Sequence, residues 1–431
     1  MDLKKRKRYY NRCNPYKIPS WESAEIIDID GYQINGKEVR VRGKKWAEYI
    51  SKKIMMSDST ETIYFSGYSG SGKTTELQRM EKILEDRDYA NLLPVYIDAV
   101  KFLPIHESLD EIDIFSAIVY SVIEKVAHYQ GKGEVFGADN YFERLWKWLT
   151  ETEVSFKKGE LSGKYSKMIF EMKENPSFRT KIKMRIYDNF SRFKLDVQKE
   201  LNSLNEIVKT QKVNGETRDG IVVIFDSLEH NRGIGVEAKS VADSIHKLFA
   251  NRDSLSLPVH VIYTIPPYLN VKINDIEFLP VVRVINRDNS ICQDGIEVLK
   301  ELVYKRIPKE DLMEILGLEK VLEEIIEYSG GYPRDLLRLL REAILVDEYP
   351  LSRVEIEGIF QELENDYRDT ISVEDKEKLK EIYKTKEINF SSFDHIDIAE
   401  KLFAIHVVLR YHNSRQWFTL NPPSKRVLGI E

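Results

Sequence analysis

The chain has 431 residues, room for two or three domains, with 42% apolar residues to build cores and 32% charged residues to keep the surface hydrated. Its net charge of −6 excludes a general attraction to nucleic acid or to membrane surfaces. The two cysteines, Cys13 and Cys292, lie far apart, which excludes a disulfide framework and fits a reducing, cytoplasmic setting; no apolar run approaches membrane-spanning length, so no membrane partner is expected.

Residues 1–58 read as an N-terminal segment. Lys4-Lys5-Arg6-Lys7-Arg8 is followed by no apolar stretch and does not read as a secretory signal. It reads as a solvated basic tail, with a phosphate-contacting arm as the alternative. Pro15 and Pro19 punctuate an irregular stretch, and residues 47–55 have the spacing of a helix. The expected role of this segment is structural cover.

The core is expected over residues 59–290. Thr62-Ile63-Tyr64-Phe65 is a β-branched and aromatic run of strand character. It runs into FSGYSGSGKTT, residues 65–75, in which Gly67, Gly72, Lys73 and Thr74 satisfy G-x-x-x-x-G-K-[ST]. The glycines let backbone N–H groups of Gly67, Tyr68, Ser69, Gly70, Ser71 and Gly72 turn inward as an anion nest. A helix starting at Lys73 points its positive end at the same anion, and Thr75 belongs to its first turn. Lys73 then reaches the β- and γ-phosphates of a nucleotide, and the Thr74 hydroxyl can ligate magnesium. Leu77, Met80, Ile83 and Leu84 continue the helix.

Residues 92–97 read as a second strand and 114–126 as a helix packed on a sheet. Strands alternating with helices predict a parallel α/β sheet covered on both faces. Residues 131–219 interrupt the alternation. Ile186, Phe190, Phe193, Val197, Leu201, Leu204 and Val208 recur at helical steps, which predicts one long amphipathic helix. From 157 to 212 there are 14 Lys plus Arg against 7 Asp plus Glu, a net of +7. This basic face reads first as solvated cover, and second as a surface for nucleic acid or an acidic partner.

Ile221-Val222-Val223-Ile224-Phe225 is a continuous apolar run, the signature of a central buried parallel strand. It ends in Asp226, placed to hold the magnesium shell, with Glu229 placed to orient or deprotonate the attacking water. Residues 259–264 form a further strand, with Thr264 at its carboxyl end where a polar group could sense the γ-phosphate. Residues 281–285 are the expected next strand. Helices over 295–306 and 312–328, then Gly330-Gly331-Tyr332-Pro333-Arg334-Asp335 opening another helix, make a helical lid over 291–370. In residues 371–431, helices at 375–384 and 396–404 precede strands at 407–411 and 416–420 joined by a four-residue loop, the pattern of a winged helix. That unit holds 10 Lys plus Arg and 9 Asp plus Glu, poor equipment for gripping phosphates, so a packing and regulatory wing is expected.

The order of these motifs resembles the STAND ATPases, close to the AAA+ ATPases of the archaeal and origin-initiator type. FSGYSGSGKTTEL is similar to a prokaryotic P-loop group with F-[ST]-G-x-x-G-S-G-K-[ST]-T-E-L, which also carries sequences similar to VIYTIPPYL at 261–269 and to Gly330–Leu336. The resemblance covers roughly residues 10–425, as motifs. It implies a P-loop NTPase fold that binds ATP or ADP with Mg2+, hydrolyses ATP slowly and oligomerises on ATP binding. It also implies control of a separately encoded effector or sensor, in a setting such as antiphage defence. Lys73, Thr74, Asp226 and Glu229 match the family's phosphate, metal and water roles, Pro333 its adenine-side lid proline, and Arg334 its second sensor. In such ATPases the segment before the first strand often lies beside the adenine. Three positions depart from the pattern: Ser227 follows Asp226, no arginine lies between Thr264 and Pro280 to act in trans, and Asn421 stands where the wing carries a phosphate-contacting histidine. The alternatives are an initiator- or transposition-type ATPase that binds DNA, and a nucleotide-binding scaffold without turnover.

Overall fold

A computed structural model describes residues 1–19, 23–131, 171–231, 233, 237–388, 402–403 and 406–430. Helix α1 (Leu3–Arg12) and α2 (Trp46–Met55) precede β1 (Thr62–Gly67), which delivers the glycine loop to α3 (Lys73–Glu85). Then follow β2 (Leu92–Asp98), α4 (Glu111–Tyr129), α5 (Pro176–Tyr187), α6 (Phe190–Thr210) and β3 (Gly220–Asp226). Next come α7 (Ala238–Ala250), β4 (His260–Ile265) and β5 (Glu277–Leu279). These five strands form one parallel sheet in the order β2-β3-β4-β1-β5.

The apolar run of β3 is buried on both faces. Val222 and Ile224 pack with Ile63, Phe65 and Ile262 under α2 and α3. Ile221, Val223 and Phe225 pack with Tyr64, Val261 and Tyr263 under α4, α6 and α7. The sheet is therefore covered on both sides, as the alternation predicts. β1 has neighbours on either side, so the chain leaves it in one direction and returns in the other. Such a switch point leaves a crevice beyond the carboxyl ends of the strands.

Four sequence expectations change. The single helix expected over 186–208 is two helices, broken at Asp188-Asn189, residues that favour caps over helix interiors. The strand expected at 281–285 lies earlier, at β5. Residues 281–283 instead run extended between three units: Val281 N–H donates to Arg410 C=O, Val282 to Gly331 C=O and Arg283 to Val41 C=O. The helix expected over 312–328 is α9 (Lys309–Leu316) and α10 (Glu319–Tyr328), following α8 (Gln293–Tyr304) and parted at Gly317, whose φ of +78° no helix holds. The basic stretch is not a free tail, although Lys4, Lys5, Lys7 and Arg8 stay exposed to solvent as expected. It is helix α1, docked on the lid, where Arg6 donates to the carbonyls of Ile344, Leu345 and Val346 at the end of α11 (Pro333–Leu345). A cation there meets orphan carbonyls and the negative end of the helix dipole. Lys5 pairs with Asp311 at 2.9 Å.

The basic insertion is also spent partly inside. Arg179 pairs with Asp113 at 3.1 Å, and Lys183 with Asp110 at 2.7 Å and Asp113 at 2.5 Å, across the acidic first turn of α4. α12 (Arg353–Arg368) completes the lid. α13 (Asp375–Thr385) and the antiparallel hairpin β6 (Val408–His412) and β7 (Gln416–Leu420) then build the helix-and-hairpin arrangement of a winged helix. The helix expected at 396–404 falls largely outside the described residues. No described helix is long and apolar enough to cross a membrane.

Candidate active site

The glycine loop sits at the carboxyl end of β1. Gly70 and Gly72 have φ of +88° and +96°, which side chains rarely adopt, and this turns the loop around its own hollow. Lys73 opens α3 and folds back into the loop. Its Nζ donates to Gly67 C=O at 3.0 Å and Tyr68 C=O at 3.1 Å, and pairs with Glu229 Oε1 at 2.8 Å. Thr74 Oγ1 donates to Asp226 Oδ2 at 2.9 Å. The register explains the meeting: β4 lies between β1 and β3, and α3 carries Thr74 across the strand ends to Asp226.

Asp226 and Glu229 are both buried, at 2% and 5% exposure, but their environments push them apart. Burial, then the charge of Glu229, holds the Asp226 carboxyl above its ordinary range, with the Tyr96 and Thr74 hydroxyls pulling it back. Burial also pushes Glu229 up, but the charge and hydrogen bond of Lys73 outweigh it, so Glu229 lies below its ordinary range. Ser227, between them, has φ of +70°, a left-handed turn that swings Glu229 toward Lys73. Thr74 and Asp226 are hard oxygen donors, and two of them suit a magnesium ion that keeps its remaining positions for water and phosphate. Among the described residues no cluster of three or more His, Cys, Asp or Glu side chains could hold a metal ion.

The lid reaches the same loop. A Cβ on Gly70 would come within 2.4 Å of Arg334 Nε, so Arg334 lies directly on the loop, with its guanidinium 5.3 Å from the Tyr16 ring centre. Pro333 and Leu337 face the cleft beside the loop. Thr264 is not brought into the cleft. Its hydroxyl accepts Leu228 N–H at 3.3 Å and lies 3.4 Å from Phe225 C=O, so it braces the backbone around Asp226. Asn421 is also elsewhere, fully buried and donating to Tyr367 Oη at 2.7 Å.

Sequence reasoning missed three contributions. The N-terminal segment, expected only as structural cover, lines the cleft with Pro15, Ile18, Ile26, Ile27 and Ile29, together with Leu302 and Leu337. Such a lining has no motif. Arg42 is 1% exposed, held by Asp30 at 2.7 Å and Glu76 at 2.6 Å, and its Nη1 has no partner among the described residues. That nitrogen stands 3.9 Å from where a Cβ on Gly72 would be, on the cleft lining. Third, His406 stacks on Tyr332 at 4.8 Å, and Tyr332 Oη donates to Ser69 C=O. Tyr68 Oη donates to Val408 C=O at 2.8 Å. His406 therefore lies beside the loop, its ring against Tyr68 and Tyr332. A buried tyrosine inside the GYSGSG run was the signal for this tether, because a loop that only held an anion would have no use for an apolar ring there.

No protein-family model and no curated protein sequence matches the chain. Among solved structures, a chain in the structure of Drosophila ORC bound to DNA is similar at 10% identity and a TM-score of 0.37, covering 99% of this chain and 92% of that one. Cdc6p from Pyrobaculum aerophilum is similar at 10% identity and a TM-score of 0.33, covering 89% and 91%. No residue role in this chain follows from similarity that low.

Proposed function

We propose that this chain is a P-loop ATPase that works as a slow nucleotide switch, with ATP or ADP held between the glycine loop, the N-terminal wall and the lid. The observation that carries it is the joint placement of Thr74 against Asp226 at 2.9 Å and Lys73 against Glu229 at 2.8 Å. A structural turn has no need of two buried acids gathered at a loop already rich in inward N–H groups.

The arrangement gives the residues an order of action. Lys73 exchanges Glu229 for the β- and γ-phosphates as they enter. Glu229 thereby loses its partner, the group whose charge and hydrogen bond hold its carboxyl below the ordinary range, and its Oε1 is free to accept a proton from the attacking water. Magnesium, held by Thr74 and Asp226, would supply charge neutralisation for the phosphates. Arg334 on the lid and Arg42 behind Gly72 bring further positive charge to the same loop. Ser69 and Tyr68 carry the state of the loop to Tyr332, His406 and Val408, which is the switch. The separate effector or sensor belongs to this reading, as does an assembly of several copies.

The DNA-loading alternative stands beside it: Arg179 and Lys183 are paired with core carboxylates, while Lys181, Arg192, Lys199 and Lys212 of the same insertion are exposed. The test is ATP binding and turnover by the wild-type chain, with and without duplex DNA across a salt series. Saturable ATP binding with turnover indifferent to DNA supports the switch. DNA-stimulated turnover with steep salt dependence replaces it with the initiator reading.

A further inference from the structure

Tyr96 stands on β2, the strand beyond β3, and plays no part in any motif of the sequence. It pairs in register with Ile224, on the α3 side of the sheet, two residues short of the strand end. From there its hydroxyl reaches Asp226 Oδ2 at 2.5 Å, the same oxygen that accepts from Thr74 Oγ1 at 2.9 Å. The other oxygen, Oδ1, accepts Ser227 N–H at 2.7 Å. The carboxylate is therefore gripped from three sides and has one orientation. Burial, then the Asp226 charge, pushes the Tyr96 phenol upward.

We propose that Tyr96 is a positioning residue for the metal site: its hydroxyl holds Asp226 Oδ2 in the orientation that faces the same ion as Thr74. This rests on the nucleotide reading above. A partner that orients a metal-holding carboxylate is commonly worth about ten- to a hundredfold in metal affinity. A tyrosine that only filled space would leave its hydroxyl without that influence. Tyr64 is the internal comparison: it is buried on β1, three strands from β2 and on the other face of the sheet, where its hydroxyl lies beside Arg252 and not beside the Asp226 carboxylate.

The experiment measures Mn2+ binding to the ADP-loaded full chain by electron paramagnetic resonance, and ADP binding in EDTA by calorimetry, for wild type, Tyr96→Phe and Tyr64→Phe. The expected result is a loss of about tenfold or more in Mn2+ affinity for Tyr96→Phe. Its metal-free ADP affinity should stay within about twofold of wild type, and Tyr64→Phe should match wild type in both. Unchanged Mn2+ affinity in Tyr96→Phe overturns the inference and leaves the nucleotide reading standing. So does an equal loss of metal-free ADP binding, which would mark a general packing role. A wild-type chain that binds no ADP in either condition overturns the nucleotide reading, and the inference with it.

Discussion

Two parts of the cleft lining are built by opposite means. At the glycine-loop end the side chains are held by charge and hydrogen bonds: Lys73 on two carbonyls and Glu229, Thr74 and Tyr96 on Asp226, with Arg334 over Gly70. Elsewhere in the lining Ile18, Ile26, Ile27, Leu302 and Leu337 offer mainly apolar shape, with Lys17, Glu25 and Arg306 among them. A phosphate is recognised by direction and charge, so few residue types at fixed spacing will serve. A flat apolar ring is recognised by area, so many side chains from any segment will serve. The first part is under tight chemical constraint, and the second is not.

Breaking the glycine-loop end should have the largest effect. Lys73→Ala is expected to abolish measurable ATP binding by calorimetry. It should also destabilise the fold by about 3–5 kcal/mol, because it strands Glu229 as a buried unpaired charge. Adding Glu229→Gln to it should recover much of that loss in thermal unfolding while ATP binding stays absent. A double variant that regains nucleotide would break the assignment of Lys73. Glu229→Gln alone should bind ATP at least as tightly as wild type, since Lys73 no longer has a competing anion, and turnover should fall by about 10²–10⁴. Unchanged phosphate release would remove Glu229 from its role.

The apolar lining should give a smaller and more selective loss. Ile27→Asp is expected to weaken ATP by about ten- to a hundredfold, the equivalent of about 1.5–3 kcal/mol of apolar burial. Tripolyphosphate, which has no base, should bind unchanged. Equal losses for both ligands would mean the wall supports the loop rather than the base.

Arg42 is held from behind the lining by Asp30, whose carboxyl burial lifts to about 6 against the pull of Arg42, with Glu76 adding to the rise. The sign follows from proton counting. Between about pH 4 and 6 the folded chain holds a proton on Asp30 that the unfolded chain has released, so its contribution to stability falls as pH rises through that window. Carbon-13 titration of Asp30 should show a midpoint near 6, and Asp30→Asn should remove that part of the stability slope. A midpoint near 4 would show that Arg42 wins over burial.

This contrast also sets how much could be read from the sequence. The meeting of the glycine loop with Asp226 and Glu229 was legible because the loop has a fixed spacing and a strand run ending in an acid puts that acid at the same sheet edge. β3 was legible because five apolar residues in a row can only be buried. The N-terminal wall was not, since Ile26 and Ile27 look like any surface-cover pair until the lid closes over them. The α1 docking was hidden for a different reason: Arg6 finds its partners in carbonyls more than 330 positions away, and backbone carbonyls leave no mark in a sequence. The break at Asp188-Asn189 keeps the apolar stripe of Ile186 and Phe193 in phase, so periodicity alone could not find it.

The smallest expected effect tests how the loop speaks to the wing. Tyr68→Phe keeps the ring that packs 6.0 Å from Phe403 and removes only the hydroxyl on Val408 C=O. One neutral hydrogen bond contributes about 0.5–1.5 kcal/mol, so the melting temperature should drop by only a few degrees and ADP affinity should change by no more than about tenfold. The informative quantity is amide exchange in β6. If the loop and the wing are one switch, ADP should slow exchange at Val408 to Tyr411 in wild type, and this slowing should be weaker in Tyr68→Phe even when both proteins are saturated. Equal protection in the two would cut this link and leave Tyr332, through Ser69, as the remaining route from phosphate to wing. Tyr332→Phe in the same measurement would then decide whether the loop and the wing are coupled at all.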